Sequence, residues 1–423
     1  MTSIAPLAAA TGCDCGAQDP KGLLSVDAAL AKIDAVVRAV EGAEAVPLVK
    51  ARGRVLAAPV RVTGAVPPFD NSAMDGYALD PAGLPGAGPW VMPVTGRVLA
   101  GQAPADPCHG AVQVFTGAPI PPGATAVIAQ EDVERLGNSI HLHRLPRPGE
   151  NIRRAGSDMA ARAVILEAGT RVGPAEIAIL AAAGQGTPTV LRRIRVAVLV
   201  TGDELRDADA ALSPGAIRDV NGPLLGALLD RPEVVLLPPE RVADDPSTIA
   251  DRLARLSEIA DLVVTTGGVS VGAADHLRPV LEHLGGRLHF AGVAMKPGKP
   301  VAHGTLGQSV WLGLPGNPLA VLTGWALFGT RILERLTGAR CATVSRRRVV
   351  ADVALSHRPG RCEFRPARLV GPDGQGREVI RFPANTQSHR VSDLVDFDGF
   401  ACLPAEIASV PPGGWFEFLP FRF

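Results

Sequence analysis

The chain has 423 residues, too many for one ordinary hydrophobic core, so several domains are expected. Its 42 Lys+Arg balance 42 Asp+Glu, and a net charge of zero argues against nucleic acid or a membrane surface as the main partner, because both usually demand a basic excess. Apolar residues reach 47% with only 4% aromatics, while 47 Gly and 38 Pro predict abundant turns and close backbone approaches.

The six cysteines (13, 15, 108, 341, 362 and 402) form no CxxC pair, so the spacing suggests neither a disulfide framework nor a structural zinc site. Cys13 and Cys15 read as free thiols in a disordered tail over residues 1–20, in preference to a metal or redox pair. No basic segment leads into an apolar signal sequence, and no apolar run approaches the ~18 residues of a membrane span. A soluble, reduced, cytoplasmic protein is expected.

After the tail, Ser25 is placed to cap a helix whose apolar positions Ala28, Leu30, Ile33, Val36, Val37 and Val40 recur at helical spacing. Short extended pieces follow over Ala45–Leu48 and Val55–Val62. From Arg61 to Asp158 the chain becomes rich in Pro and Gly, with brief apolar runs at 90–94, 111–115, 126–129 and 140–142, which predicts a small β-rich domain. It carries three polar loops, PPFDNSAMDGYAL (67–79), TGAPIPPGATAVIAQED (116–132) and GENIRRAGSDM (149–159). Such residues make turns routinely, but three polar loops on one small domain form a surface for something. Val172–Ala183 returns to helix, with Gly173-Pro174 at its start and Gly184 at its end. Residues 61–158 are therefore expected to be an insertion in a helical linker domain made of 21–60 and 159–192.

From Arg193 strand and helix alternate. Strands are expected at Val196–Val200, Val234–Leu237, Leu262–Thr265, Leu288–Phe290 and Val310–Leu314. Helices are expected at Pro223–Leu229, Thr248–Leu256, His276–Leu284 and Pro318–Leu336. That alternation predicts a parallel, doubly wound α/β domain over 193–342, with ligands bound beyond the carboxyl ends of its strands. Beyond it, short strands and turns predict a small C-terminal β domain over 343–423.

The chemistry collects at the predicted strand ends. DLVVTTGGVSVGAAD (261–275) reads as a strand, a loop holding Gly267, Gly268, Ser270 and Gly272, and a carboxylate, Asp275, opening a helix. Such a turn presents backbone N–H groups to an anion. Asp203, Glu204, Asp219, Asp244, Asp245 and Asp275 can all lie along one sheet edge. A single carboxylate there is usually a cap, but several suggest a divalent cation such as Mg²⁺ held by hard oxygen ligands. Lys296 and Lys299 in MKPGKP offer point charges for phosphate, and LPGNP (Pro315, Gly316, Asn317 and Pro318) ends one strand and opens a helix. The P-loop and dinucleotide fingerprints fail: Ala273 follows Gly272, and TGDEL stands after the first strand. No Ser-His-Asp arrangement and no HxxxH pair is apparent. A metal-assisted phosphoryl or phosphoanhydride site without a covalent nucleophile remains.

Seven motifs, PPFDNSAMDGYA, FTGAPIPPGATAVI, NIRRAGSDM, VTGDEL, VVTTGGVSVGAADH, MKPGKP and LPGNP, stand in one order along nearly the whole chain. As a set they resemble the molybdopterin molybdenumtransferases. The resemblance implies a multidomain α/β plus β chain with a molybdopterin-binding-like α/β domain, a β-rich insertion, a helical linker and a small C-terminal β-barrel. It implies an elongated homodimer that hydrolyses adenylylated molybdopterin with Mg²⁺, inserts molybdenum from molybdate and releases AMP, its site shared between the α/β domain of one subunit and the insertion of the other. A molybdopterin adenylyltransferase is an expected partner. Matched residue by residue, Asp75, Thr116, Asp158, Glu204, Asp244 and Asp275 are implied as catalytic. Glu204, Asp244 and Asp275 are also implied as metal ligands, and Lys296, Pro315, Pro318, Arg361 and Ser388 as substrate-binding. Gly292, Gln113 and Val220 depart from the family pattern, which often has a basic residue, an Arg and a Ser there. Two alternatives use the same domain: a nucleotide pyrophosphatase, which leaves Asp75 and Asp158 without work, and a non-enzymatic scaffold, which calls for an added partner domain or long linker.

Overall fold

The computed structural model describes residues 22–103, 107–269, 276–340, 347–383 and 390–421. It divides into two compact units. The first comprises Met1–Glu44, Gly53–Val55 and Leu191–Phe423, and the second Ala45–Arg52 and Leu56–Val190. Helix α1 (Val26–Val36) belongs to the first unit and α2 (Pro174–Ala182) to the second, so the helices read from the sequence as one linker are divided between them. In α1, Ser25 Oγ accepts from the N–H of Ala28 at 3.1 Å, as its N-cap role requires. The helix stops at Val36, and Val37 is already extended; Val37 and Val40 are buried all the same, which is why the apolar spacing overran the helix.

In the second unit six strands form one sheet: β1 (Gly76–Leu79), β2 (Trp90–Val98), β3 (Ala111–Val114), β4 (Ala126–Ala129), β5 (Val133–Leu136) and β6 (Ser139–Leu142). Their order is β4-β1-β3-β2-β6-β5, antiparallel except between β2 and β3. Both faces are covered. Tyr77, Leu79, Ile128, Ile140 and Leu142 pack on one, Ala78, Val112, Val114 and Val127 on the other. A separate cluster of Leu56, Val60, Val172, Leu180 and Val190 anchors α2, whose first turn is held by the Glu176 carboxylate accepting from the N–H of Gly173 at 2.9 Å.

The first unit is built on a sheet of β7 (Ile194–Thr201), β8 (Val234–Leu236), β9 (Glu240–Val242), β10 (Leu262–Thr266), β11 (Arg287–Ala291), β13 (Ala302–Leu306) and β14 (Ser309–Leu314), in order β8-β7-β10-β14-β13-β11 with β9 also on β7. Its helices are α3 (Asn221–Leu229), α4 (Pro246–Ile259), α5 (Leu277–His283), α6 (Pro318–Gly324) and α7 (Thr330–Leu336), the last two joined by a π-helical turn at Trp325–Gly329. The expected all-parallel sheet is corrected. β7 to β10 and β14 are parallel, but β13 pairs antiparallel with both β14 and β11. Only residues 307 and 308 separate β13 from β14, far too few for the crossover that parallel neighbours need. β13 itself was not anticipated because its AHGTL lacks an apolar run.

The parallel strands are buried on both sides, as their nearly continuous Val and Leu content demands. Val196, Val198, Val200, Val264 and Leu312 pack with α1, α3, α6 and α7. Ala197, Leu199, Val263 and Trp311 pack with α4 and α5.

β12 (Met295–Lys296) leads from this sheet to the C-terminal strands β15 (Arg347–Ala351), β16 (Cys362–Pro372), β17 (Glu378–Arg381), β18 (Gly399–Leu403) and β19 (Trp415–Pro420). The order β16-β17-β15-β19-β18 closes on itself because β18 pairs back with β16, giving a five-stranded barrel around Val349, Ala367, Ile380, Ala401, Phe416 and Phe418. β12 extends β16 in parallel, placing Met295 beside Cys362 and Lys296 beside Glu363.

Candidate functional site

Three parallel strands of the first unit end side by side: β7 at Thr201, β10 at Thr266 and β14 at Leu314. The loops leaving them are tied together. Gly267 N–H donates to Leu314 O at 3.2 Å, and Thr201 Oγ1 donates to Thr266 O at 3.4 Å. Gly267 has φ +88°, and a Cβ there would sit 2.6 Å from Thr201 O, so both backbone conformation and space demand glycine. Gly268 follows at φ +57°. Asn221, only 6% exposed at the start of α3, reaches across this edge, donating through Nδ2 to Gly316 O at 2.8 Å and to Thr266 Oγ1 at 3.4 Å. Its Oδ1 is buried without a hydrogen-bond partner among the described residues. Asn317 caps α6, its Oδ1 accepting from Leu319 N–H, and Pro318 occupies the first turn where a missing N–H costs little. The structure thus gathers Gly267, Gly268, Pro315, Gly316, Asn317 and Pro318 at one edge; Ser270, Gly272 and Asp275 lie outside the described residues.

Two of the carboxylates at this edge serve the backbone. Asp245 caps α4, its Oδ2 accepting from Thr248 Oγ1, Ser247 Oγ and Thr248 N–H, which lowers its pKa to about 2. Asp219 accepts from Gly222 N–H at 3.0 Å. Asp203 and Asp244 are drawn together, Asp244 N–H donating to Asp203 Oδ1 at 3.1 Å, and Glu204 is exposed in the loop after β7. No group of three metal-ligating side chains stands among the described residues. The expected trio of Glu204, Asp244 and Asp275 has one member outside them.

A second cluster lies where β12 joins the barrel. Lys296, Lys299, Arg358, Arg361 and Glu363, with Leu23, Pro359 and Gly360, line a cleft of about 470 Å³. Lys296 Nζ is 3.4 Å from Glu363 Oε1. Lys299, Arg358 and Arg361 make no ion pair among the described residues. Four cations against one carboxylate leave the cleft strongly positive. Residues 296, 299 and 361, expected at the site from separate motifs, meet here. Arg358 and Glu363 were not expected; their signal is the alternating charge of HRPGRCEFR, which only the β12–β16 pairing turns toward the lysines. Ser388 lies outside the described residues.

In the second unit, Asp75 Oδ1 accepts from both the N–H and the hydroxyl of Thr116, at 2.8 and 2.9 Å. These two bonds hold its carboxyl below the usual range. Asp70 is held down likewise by Ala155 N–H and Arg154. Asp158 is exposed, and no hydrogen bond joins it to the Asp75–Thr116 pair. Gln113, where the resemblance implies an Arg, accepts from Arg135 at 3.4 Å, so a guanidinium still reaches that strand. Gly292 has φ +89°, a conformation that strains any side chain, and a Cβ there would meet Leu23 Cδ2 at 2.7 Å.

Three family models match in chain order: the MoeA N-terminal region (domains I and II) over residues 24–184, the probable molybdopterin binding domain over 197–335, and the MoeA C-terminal region (domain IV) over 348–421. The chain belongs to the molybdopterin molybdenumtransferases. It is an enzyme of that family, similar to molybdopterin molybdenumtransferase 2 of Mycobacterium tuberculosis at 33% identity, covering 87% of this chain and 92% of the relative. The molybdopterin molybdenumtransferase of Haemophilus influenzae is 34% identical over 84% of this chain and 88% of its own. Among solved structures, a molybdopterin biosynthesis MoeA protein from Pyrococcus horikoshii covers 94% of this chain and all of its own, with a TM-score of 0.79 at 28% identity. Among the described residues, no helix of this transferase is long and apolar enough to cross a membrane.

Proposed function

We propose that the enzyme transfers molybdenum from molybdate to adenylylated molybdopterin, with Mg²⁺-dependent hydrolysis of the phosphoanhydride and release of AMP. The observation that carries this reading is the cleft of Lys296, Lys299, Arg358 and Arg361, three of whose cations have no counter-ion among the described residues. A small dianion is what such a cleft recognises, because each charge-assisted contact is roughly twice as strong as a neutral one. Backbone-lined glycine turns at the ends of β10 and β14 supply the second element, a surface for a phosphorylated ligand. Glu204 and Asp244, with Asp275, would hold Mg²⁺ through a few carboxylates, water and substrate phosphate, and the metal would stabilise charge on the phosphoryl oxygens. Asp75 and Thr116 fit a role against the substrate from the insertion. In this reading the chain works in the cytoplasm as a homodimer, in which the insertion of one subunit faces the α/β domain of the other, and it receives its substrate from a molybdopterin adenylyltransferase.

The test is AMP release by purified protein given adenylylated molybdopterin and Mg²⁺, with and without molybdate. Molybdate-dependent release that yields active cofactor is expected. Hydrolysis indifferent to molybdate would refute the reading and favour a pyrophosphatase.

A further inference from the structure

We infer that Glu363 is a latch on Lys296: it holds the ammonium while the cleft is empty, and an entering oxyanion must take the lysine from it. This rests on the reading of the cleft as an oxyanion seat. Among the described residues Glu363 is the only carboxylate lining the cleft, and its side chain is 11% exposed. Oε1 accepts from three donors: Arg365 Nη2 at 3.1 Å, Arg365 Nε at 3.2 Å and Lys296 Nζ at 3.4 Å. Oε2 faces the Nδ1 of His357 at 3.9 Å, beyond hydrogen-bond reach. His357 is itself buried, with neither ring nitrogen hydrogen-bonded.

The donors are unequal in a way that settles which one leaves. Arg365 is 17% exposed and contributes two bonds from its planar fork, whereas Lys296 is 59% exposed and contributes one, the longest of the three. When Lys296 departs, the two guanidinium bonds still satisfy Oε1, so the buried carboxylate is not orphaned, the condition that makes breaking a buried ion pair costly. Among the described residues, Lys299, Arg358 and Arg361 have no such restraint. Glu363 therefore acts through Lys296 as a positioning residue: it lowers the affinity of the cleft for any oxyanion and keeps one cation ready to transfer.

The latch makes a prediction opposite in sign to that of a merely supporting residue. Glu363→Gln keeps the shape and an acceptor for Arg365 but removes the charge that competes for Lys296. Isothermal titration with molybdate, and separately with sulfate, should show both anions binding about five- to tenfold tighter, the size expected of one unit charge a few ångströms away under water-like screening in this open cleft. Lys296→Met should weaken binding, and adding Glu363→Gln to it should then change affinity by less than about twofold, since a coupling is lost with its partner. Unchanged or weaker binding in Glu363→Gln, with an unaltered melting temperature, overturns the latch, as does an equal gain in the Lys296→Met background. If Glu363→Gln melts early, Glu363→Asp, which keeps the charge but shortens its reach to the lysine, is titrated instead; tighter binding supports the latch and no change overturns it. Failure of the unmodified protein to bind either anion would refute the reading of the cleft itself, a separate outcome.

Discussion

The glycine turn after β10 offers a graded test of how the site edge is built. Gly267 adopts φ +88°, and an added Cβ would lie 2.6 Å from Thr201 O and 2.7 Å from Thr201 Oγ1. The conformation costs an L-residue roughly 1–2 kcal/mol. Crowding against a strand carbonyl that cannot retreat adds about 1–3 kcal/mol. Restricting the unfolded chain returns about 0.4–1 kcal/mol. Gly267→Ala should therefore destabilise the first unit by about 2–4 kcal/mol, with Gly268→Ala milder because its nearest contact is 3.4 Å away. Gly316→Ala should stay within about 0.5 kcal/mol of the parent, since its Cβ would meet nothing closer than Gly267 Cα at 3.9 Å. Urea unfolding followed by tryptophan fluorescence reads this series, because Trp311 and Trp325 both lie in the cores of the first unit. A stable Gly267→Ala protein, or equal losses at 267 and 316, would refute the reasoning. A stable Gly316→Ala protein that nonetheless loses activity would show that the loop surface itself is used.

Asp261 ties the start of β10 to Arg192, at 2.7 and 2.8 Å, and to Arg195 N–H at 2.8 Å. Burial alone would raise its pKa, but these bonds from Arg192 and Arg195 outweigh it and keep the carboxyl below its ordinary value. The stability this contributes is present above the unfolded-state value and is lost as pH falls through the lowered one; Asp261→Asn should remove that acid-side loss, and Asp261→Ala should cost about 2 kcal/mol at pH 7 by denaturant titration. Thr116→Val removes one of the two bonds that hold Asp75 down, so the Asp75 carboxyl should titrate closer to its ordinary value and the acid limb of activity should move to higher pH; an unmoved limb and an unmoved carbon-13 titration of Asp75 would contradict this. Arg361→Met should weaken molybdate binding about tenfold without lowering the melting temperature, because the loss is one unpaired charge at a cleft wall; a lower melting temperature with normal binding would assign Arg361 to packing instead.

Sequence determined much of this protein because its signals are local. The Val and Leu runs of β7, β10 and β14 read as strands buried on both faces, glycines 267 and 268 read as a tight turn, and Ser25 caps its helix as its side chain and spacing dictate. Tertiary structure decided whatever depends on pairing between distant segments. Nothing in AHGTL announces a strand, and its antiparallel place follows from a two-residue connection that leaves no room for a crossover. Asp245 and Asp219 resemble ligands in sequence and prove to be occupied by backbone N–H groups, which only the coordinates of those N–H groups reveal. Above all, Glu363 and Arg358 became part of a site only when β12 paired with β16 and brought HRPGRCEFR against MKPGKP, because a charge's role is set by the partners that distance permits and not by its neighbours along the chain.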